Sequence, residues 1–314
     1  MVNKILIVAI VVLVAIIAVA AIIGQNHVAS GSSAQKLGNL TAKPIRIVAA
    51  ENFWGSLAAQ LGGSRVNVTS IVSDPNADPH EYESISADAK AIANASLVIV
   101  NGAGYDDWAL KLVSANNNQK QTVLNVANLI GKTEGANPHF WYSPEYVNET
   151  VKQVYLDLVA IDPANASYYA QRYAALNASL RQVDGRMSEI RQQFAGTKVA
   201  STESIFAYMA NATGLDLVSA PAFMNAVSEG VDPPVQSVVE FENQLKNGSV
   251  SVLVYNEQTV TPLTQQMKQM AAQYNITTVG VTETIQPPDV TFQEWMNAEL
   301  ISLQNALNAN TLGD

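Results

Sequence analysis

The order of apolar and polar positions divides the chain into stretches of different kinds. After Lys4, the run from Ile5 to Ile23 contains no polar residue. At a rise of about 1.5 Å per residue it reaches roughly 28 Å, close to the hydrocarbon thickness of a bilayer. A secretory signal has an apolar core of roughly 7 to 15 residues, so this longer run predicts a retained anchor over residues 1–24, with cleavage near Ala18 to Ala21 as the alternative. Lys4 precedes the run and no Lys or Arg follows it before Lys36, which keeps the N-terminus cytoplasmic and sends the rest of the chain outward. Residues 25–43, "QNHVASGSSAQKLGNLTAK", show no period and predict a flexible stalk, with His27 an exposed bystander.

From Pro44 onward the pattern alternates between short β-branched runs and longer amphipathic ones. "IRIVAA", "VNVTSIV", "SLVIVNG" and "QTVLNVA" read as strands. "ENFWGSLAAQLGG", ending on the helix-stopping pair Gly62 and Gly63, and residues 84–95 read as helices. A long helical pattern then fills residues 145–195, and Pro163 opens its longer piece at about 164–194. After Gly196 the alternation resumes through "KVAST", "VSAPAF", "SVLVYNE" and "TTVGVTE" as strands, with helices through "SIFAYMANATGL", "PVQSVVEFENQLKNG" and "TPLTQQMKQMAAQYN" and a last one from about Thr291. Strands alternating with helices imply parallel sheets covered on both faces. The predicted fold is therefore α/β, with two lobes that each hold a mostly parallel four-stranded sheet. The N-terminal lobe spans residues 44–163, one connecting helix residues 164–195, and the C-terminal lobe residues 196–314.

Composition narrows the function. A formal net charge of −10 argues against a nucleic-acid partner, which needs a clustered basic surface. Cysteine is absent, which removes disulfides, thiolate metal sites, cysteine nucleophiles and lipid attachment through an N-terminal Cys, so any metal must use nitrogen and oxygen donors. Asn-x-Ser/Thr triplets begin at Asn39, Asn67, Asn94, Asn148, Asn165, Asn177, Asn211, Asn247 and Asn275, a density that suits a glycosylated outer surface.

His80 and His139 are the histidines of the folded part, and each comes directly after a proline, in "DPHEYE" and "NPHFWYSPEY". These segments fall after the second strand and beyond the fourth, where open α/β sheets bind ligands. Imidazole with carboxylate suits divalent transition metals. The second half offers acids at strand ends: Glu203 in "STESIFAY", Glu257 in "VYNEQ" and Glu283 in "VTETIQPP". Taken singly, each has the ordinary alternative of a solvated loop charge or a helix-terminal acid. The chain has no His-Glu-x-x-His pair, no Gly-x-Ser-x-Gly elbow and no phosphate-cradling glycine loop. "NGAG" at residues 101–104 reads as a turn after a strand.

With "DPHEYE…ADAKAIANASLVIVNGAGYDDW", "NPHFWYSPE" and the C-terminal alternation in view, residues 44–310 resemble the metal-binding substrate-binding proteins of ABC importers, the cluster of zinc and manganese receptors. The resemblance implies a non-enzymatic receptor that captures one manganese, iron or zinc ion between its lobes and delivers it to a membrane permease. It places the first two ligands on His80 and His139. Zinc members carry the third in His-x-x-Phe-x-Tyr and some manganese members have Glu there, so Glu203, with Phe206 and Tyr208 after it, takes that role. The fourth, usually an Asp near the last strand, falls on Glu283, with Glu257 as the alternative. The His-rich loop of many zinc receptors is missing, which with the oxygen donors tilts the expectation toward manganese or iron. Asp78, Glu81 and Asn137 are candidates to orient the histidines. A monomer is expected. The competing classes are an extracytoplasmic metallohydrolase and a surface adhesion protein with a structural metal.

Overall fold

Each strand set pairs into an all-parallel, four-stranded sheet in the computed structural model of the chain, which describes residues 43–74, 79–116 and 118–311. The anchor and all of the stalk but Lys43 lie outside the described residues. The first sheet holds β1 (Ile45–Glu51), β2 (Val66–Val72), β3 (Leu97–Val100) and β4 (Thr122–Asn125) in the order β2-β1-β3-β4. The second holds β5 (Lys198–Ser201), β6 (Asp216–Leu217), β7 (Val252–Asn256) and β8 (Thr277–Val281) in the order β6-β5-β7-β8. The two orders are the same. In each, the connections run to opposite sides of the first strand, leaving a switch point between that strand and the third, where α/β sheets open a crevice at their carboxyl ends.

Side-chain alternation explains why these strands read as continuous apolar runs. Along β1, Ile47 and Ala49 enter one core cluster while Val48 and Ala50 enter another; along β3, Leu97 and Ile99 divide in the same way from Val98 and Val100. In the second sheet, Val252 and Val254 face the first of these clusters and Leu253 a third. Both faces of each sheet are therefore covered, as parallel strands require.

The connecting helices are α1 (Asn52–Gly62), α2 (Ser86–Asn94), α3 (Asp107–Ala115), α4 (Val126–Leu129), α5 (Pro144–Ile161), α6 (Ala166–Phe194), α7 (Ala207–Thr213), α8 (Pro221–Ser228), α9 (Val235–Lys246), α10 (Pro262–Gln273) and α11 (Phe292–Thr311). Of these, α6 is the long connection: 29 residues, or about 43 Å. Its buried residues Tyr169, Leu176, Leu180, Val183, Met187, Ile190 and Phe194 recur mostly at three- and four-residue steps, one stripe of a helix otherwise polar. That stripe belongs to the cluster that includes residues of both sheets, so the two halves share one core along the helix. Among the described residues no helix is long and apolar enough to cross a membrane.

Two local expectations change. "VSAPAF" is not a strand: the pairing segment is the preceding Asp216–Leu217, and Pro221 opens α8 from its first position, where a missing N–H costs nothing. Helix α3 was not marked by the apolar pattern, because only Ala109 of its nine residues is fully buried.

Candidate metal centre

Three aromatic residues fix the position of His139. Phe140, Trp141 and Tyr142, next in the chain, form a single 3-10 turn and are 0–1% exposed. Trp141 stacks on Phe53 with centroids 4.1 Å apart. Each buried aromatic contributes about 1.5–3 kcal/mol, so the run "HFWY" pins the backbone that carries the imidazole. The His139 ring is itself fully buried. Its Nδ1 lies 2.7 Å from Asn137 Oδ1, and its backbone N–H donates to the same oxygen at 3.1 Å. An amide oxygen only accepts, so Nδ1 carries the proton and Nε2 keeps its lone pair for a ligand. His139 Nε2 is buried without a hydrogen-bond partner. Burial first, and then the neighbouring His80, hold the imidazole well below the ordinary histidine range, so it is neutral.

His80 sits in the one-turn 3-10 helix Pro79–Glu81 and its side chain is 23% exposed. Its ring meets Tyr105 edge-on at 4.7 Å and His139 at 5.8 Å. It lines a cavity of about 420 Å³ together with Tyr105, Asn137, Ser204 and Glu229, which gives the centre access to solvent.

Glu283 lies just beyond β8 and is 0% exposed. Its Oε1 accepts from Asn256 Nδ2 at 2.7 Å, and its Oε2 accepts from the Tyr105 hydroxyl at 2.6 Å. The backbone N–H groups of Glu283 and Thr284 both donate to Gln258 Oε1, at 2.7 and 3.0 Å. His80 Nε2 stands 3.5 Å from Glu283 Oε2. One donor atom from each of His80, His139 and Glu283 falls within 4.8 Å of the others. Bonds of about 2.0–2.2 Å to nitrogen and oxygen set two donors of one ion at most about 4.4 Å apart, so the three atoms stand close to the separations an ion imposes.

The other sequence candidates are placed differently. Glu203 is fully buried just after β5, and the next residue, Ser204, accepts a 2.7 Å hydrogen bond at its carbonyl from Asn137 Nδ2. Glu203 thus sits beside the His139 loop but is not one of the three clustered donors. Glu257 is not brought to the histidines. Successive residues leaving a strand face opposite ways: Asn256 is buried toward Glu283, whereas Glu257 is exposed, lies over Gly280 and accepts from Tyr255. Asp78 lies outside the described residues, and of Glu81 only the backbone is described. Tyr105, Asn256 and Gln258 were not singled out by sequence reasoning. Their signal was positional, since they lie at or just beyond the ends of β3 and β7, the third strands at the two switch points.

Hydrogen bonds across the halves close around this centre. Asn52 exchanges two with the Ile285 backbone, at 2.9 and 3.4 Å, and Tyr208 donates to the Asn137 carbonyl at 2.9 Å. Tyr142 Oη stands 2.8 Å from both the Thr282 carbonyl and Glu299 Oε2. Burial pushes Glu299 up to about 8, so this acid is protonated at neutral pH.

Two parallel sheets joined by one long helix, with imidazoles from the first half converging on a buried carboxylate of the second, define the class of two-lobed metal receptors. The comparisons with known proteins agree. The family model described as "ZnuA: Zinc-uptake complex component A periplasmic" matches residues 47–306, and the chain belongs to that family of non-enzymatic, substrate-binding components of metal ABC importers. The chain is 26% identical over 235 residues to the manganese-binding lipoprotein MntA of Halalkalibacterium halodurans, covering 72% of this chain and 76% of that protein. It is 26% identical over 262 residues to the iron-binding protein YfeA of Yersinia pestis, covering 79% and 81%. The periplasmic zinc binding protein TroA from Treponema pallidum shares the fold with a TM-score of 0.72 at 16% identity, over 84% of this chain and 99% of that one. The hydrolase alternative falls with this membership.

Proposed function

We propose that the chain takes up one divalent first-row transition ion on His80, His139, Glu203 and Glu283 and hands it to a membrane permease. The observation that carries this reading is the grouping of His80, His139 and Glu283, with the lone pair of His139 Nε2 buried and unshared. Glu203 is the fourth donor of the proposal because it is buried beside the His139 loop, and a second carboxylate balances the charge of a dication. Two oxygen and two nitrogen donors suit manganese or ferrous iron, while zinc binds such donors more tightly in the general order of divalent affinities. Relatives are named for manganese, iron and zinc alike, and manganese or iron is our choice of cargo.

The domain limits proposed for the chain are an N-terminal lobe at 44–163, the connecting helix at 164–195 and a C-terminal lobe at 196–314. Relatives are named as periplasmic proteins or lipoproteins. This chain has no cysteine to carry a lipid, and we assign the tethering role to Ile5–Ile23, which places the receptor outside the membrane as a monomer. Six of the Asn-x-Ser/Thr asparagines, Asn67, Asn94, Asn148, Asn211, Asn247 and Asn275, are exposed, and these are the positions proposed to carry glycans. The test is metal competition: protein stripped of metal and offered equal zinc, manganese and ferrous iron without oxygen, with His80→Ala alongside. One equivalent in the wild type and none in the variant is the expected outcome. No stoichiometric metal in the wild type would overturn the proposal.

A further inference from the structure

Two buried acids beside the centre are not among its proposed donors. Glu51 ends β1 at 1% exposure and Asp106 precedes α3 at 0%. Their side chains share a hydrogen bond. Ionised carboxylates only accept, so this bond requires a proton on one of them. Asp106 Oδ2 already faces the Asn101 N–H at 2.6 Å, and its Oδ1 faces the Gly102 N–H at 2.8 Å. Asp106 is therefore the acceptor and Glu51 the protonated donor. The same assignment comes from burial, which raises Glu51 well above the usual carboxylate range and Asp106 only to about 6, against the opposing pull of those backbone N–H groups.

What the pair holds is a turn that opposes its own backbone preferences. Gly102, Ala103 and Gly104 have φ of 78°, 58° and 88°. For Ala103 the left-handed region costs about 1–2 kcal/mol. A Cβ on Gly102 would also come within 2.4 Å of Asn125 Oδ1. This turn delivers the Tyr105 hydroxyl to Glu283 Oε2 at 2.6 Å. Its first residue, Asn101, donates from Nδ2 to the Pro138 carbonyl at 2.9 Å, immediately before His139, and accepts from Trp54 Nε1 at 3.2 Å.

We propose that Glu51 and Asp106 form a positioning pair: by fixing the Asn101–Asp106 turn they hold the Tyr105 hydroxyl on Glu283 and so set the direction in which this carboxylate meets the metal. The inference rests on the reading of Glu283 as a donor. In it Glu51 acts on the metal only through Asp106 and Tyr105.

A double-mutant cycle tests the route, read as manganese(II) dissociation constants at pH 7, with melting of the metal-free proteins measured beside it. Tyr105→Phe and Glu51→Met should each weaken manganese binding about tenfold, and the double variant should be no more than about threefold weaker than Tyr105→Phe alone. Glu51→Gln, whose amide can donate to Asp106 in place of the acid, should rescue binding to within about threefold of the wild type. A purely structural role for Glu51 would lower the melting temperature while multiplying the same factor onto both backgrounds, and that outcome overturns the proposal. So does a Glu51→Gln variant as weak as Glu51→Met. If Glu51→Met does not fold, Glu51→Ala, which likewise cannot donate, takes its place in the cycle. Glu283→Gln separates the two levels: retained affinity there removes the donor assignment, whereas lost affinity with an additive cycle removes only the positioning pair.

Discussion

The two sheets share one strand order yet supply the centre in different ways. The first half carries its nitrogen donors on turns away from the strands, His80 in a short turn on the cavity wall and His139 ahead of three buried aromatics. The second half sets its acids at strand ends, Glu203 after β5 and Glu283 after β8, both fully buried. His80 can change without disturbing a sheet, whereas Glu283 is held by Tyr105 of the other half and by Asn256. Loss of metal and loss of stability should therefore separate at His80 and coincide at Glu283.

The largest effect expected is on metal. His80→Ala should weaken binding by on the order of a hundredfold or more while the metal-free melting temperature stays within a few degrees, because the side chain is partly exposed on a short turn outside both sheets. Titration calorimetry with manganese and a thermal melt check both halves of that statement. Glu283→Ala should lose metal equally but also stability, by about 1–3 kcal/mol for each of the Tyr105 and Asn256 donors left unsatisfied. Denaturant melts that show no difference between these two variants would erase the contrast between the halves.

Next in size is a pH effect located in the second half. Burial raises Glu299 to about 8 in the fold, while the unfolded chain releases this proton near the ordinary glutamate value. The stabilising proton is fully present below that ordinary value and is lost as pH rises through about 8. Metal-free stability should therefore fall with rising pH across that window, with a slope of up to about 1.4 kcal/mol per pH unit from this group. Glu299→Gln should flatten the fall, seen as a smaller change in denaturation midpoint between pH 6 and pH 9. A slope equal to that of the wild type would assign the effect to other acids.

The smallest effects test the turn after β3. Gly102→Ala should destabilise by about 1–3 kcal/mol, since it adds both an unfavourable φ and a clash with Asn125. Ala103→Gly should stabilise or be neutral within about 1 kcal/mol, because the left-handed φ of 58° suits glycine. Chemical denaturation of the pair distinguishes strain in the turn from packing around it.

Much of this arrangement was legible in the residues. Runs such as "SLVIVNG" are apolar on both faces because both faces are covered, and the Pro-His segments mark loops at the carboxyl ends of the first sheet. Side-chain alternation turns Asn256 inward and Glu257 outward once the end of β7 is fixed. Tyr105 and the acid pair could not be read in advance. Glu51, Asp106 and Glu283 are distant in sequence, and nothing local to "AAENF" or "AGYDDW" shows that two acids share a proton or that a tyrosine crosses to the other half. Such contacts arise from how the sheets are brought together, which pattern and propensity do not encode.

The central claim is that imidazoles of the first half and carboxylate of the second share one ion. X-ray absorption of the manganese-loaded protein tests it most directly, because outer-shell scattering counts imidazole rings. The account predicts two imidazoles with oxygen donors in the wild type, and one at most in whatever metal-bound fraction of His80→Ala can be prepared. A wild-type spectrum with oxygen donors alone would contradict it.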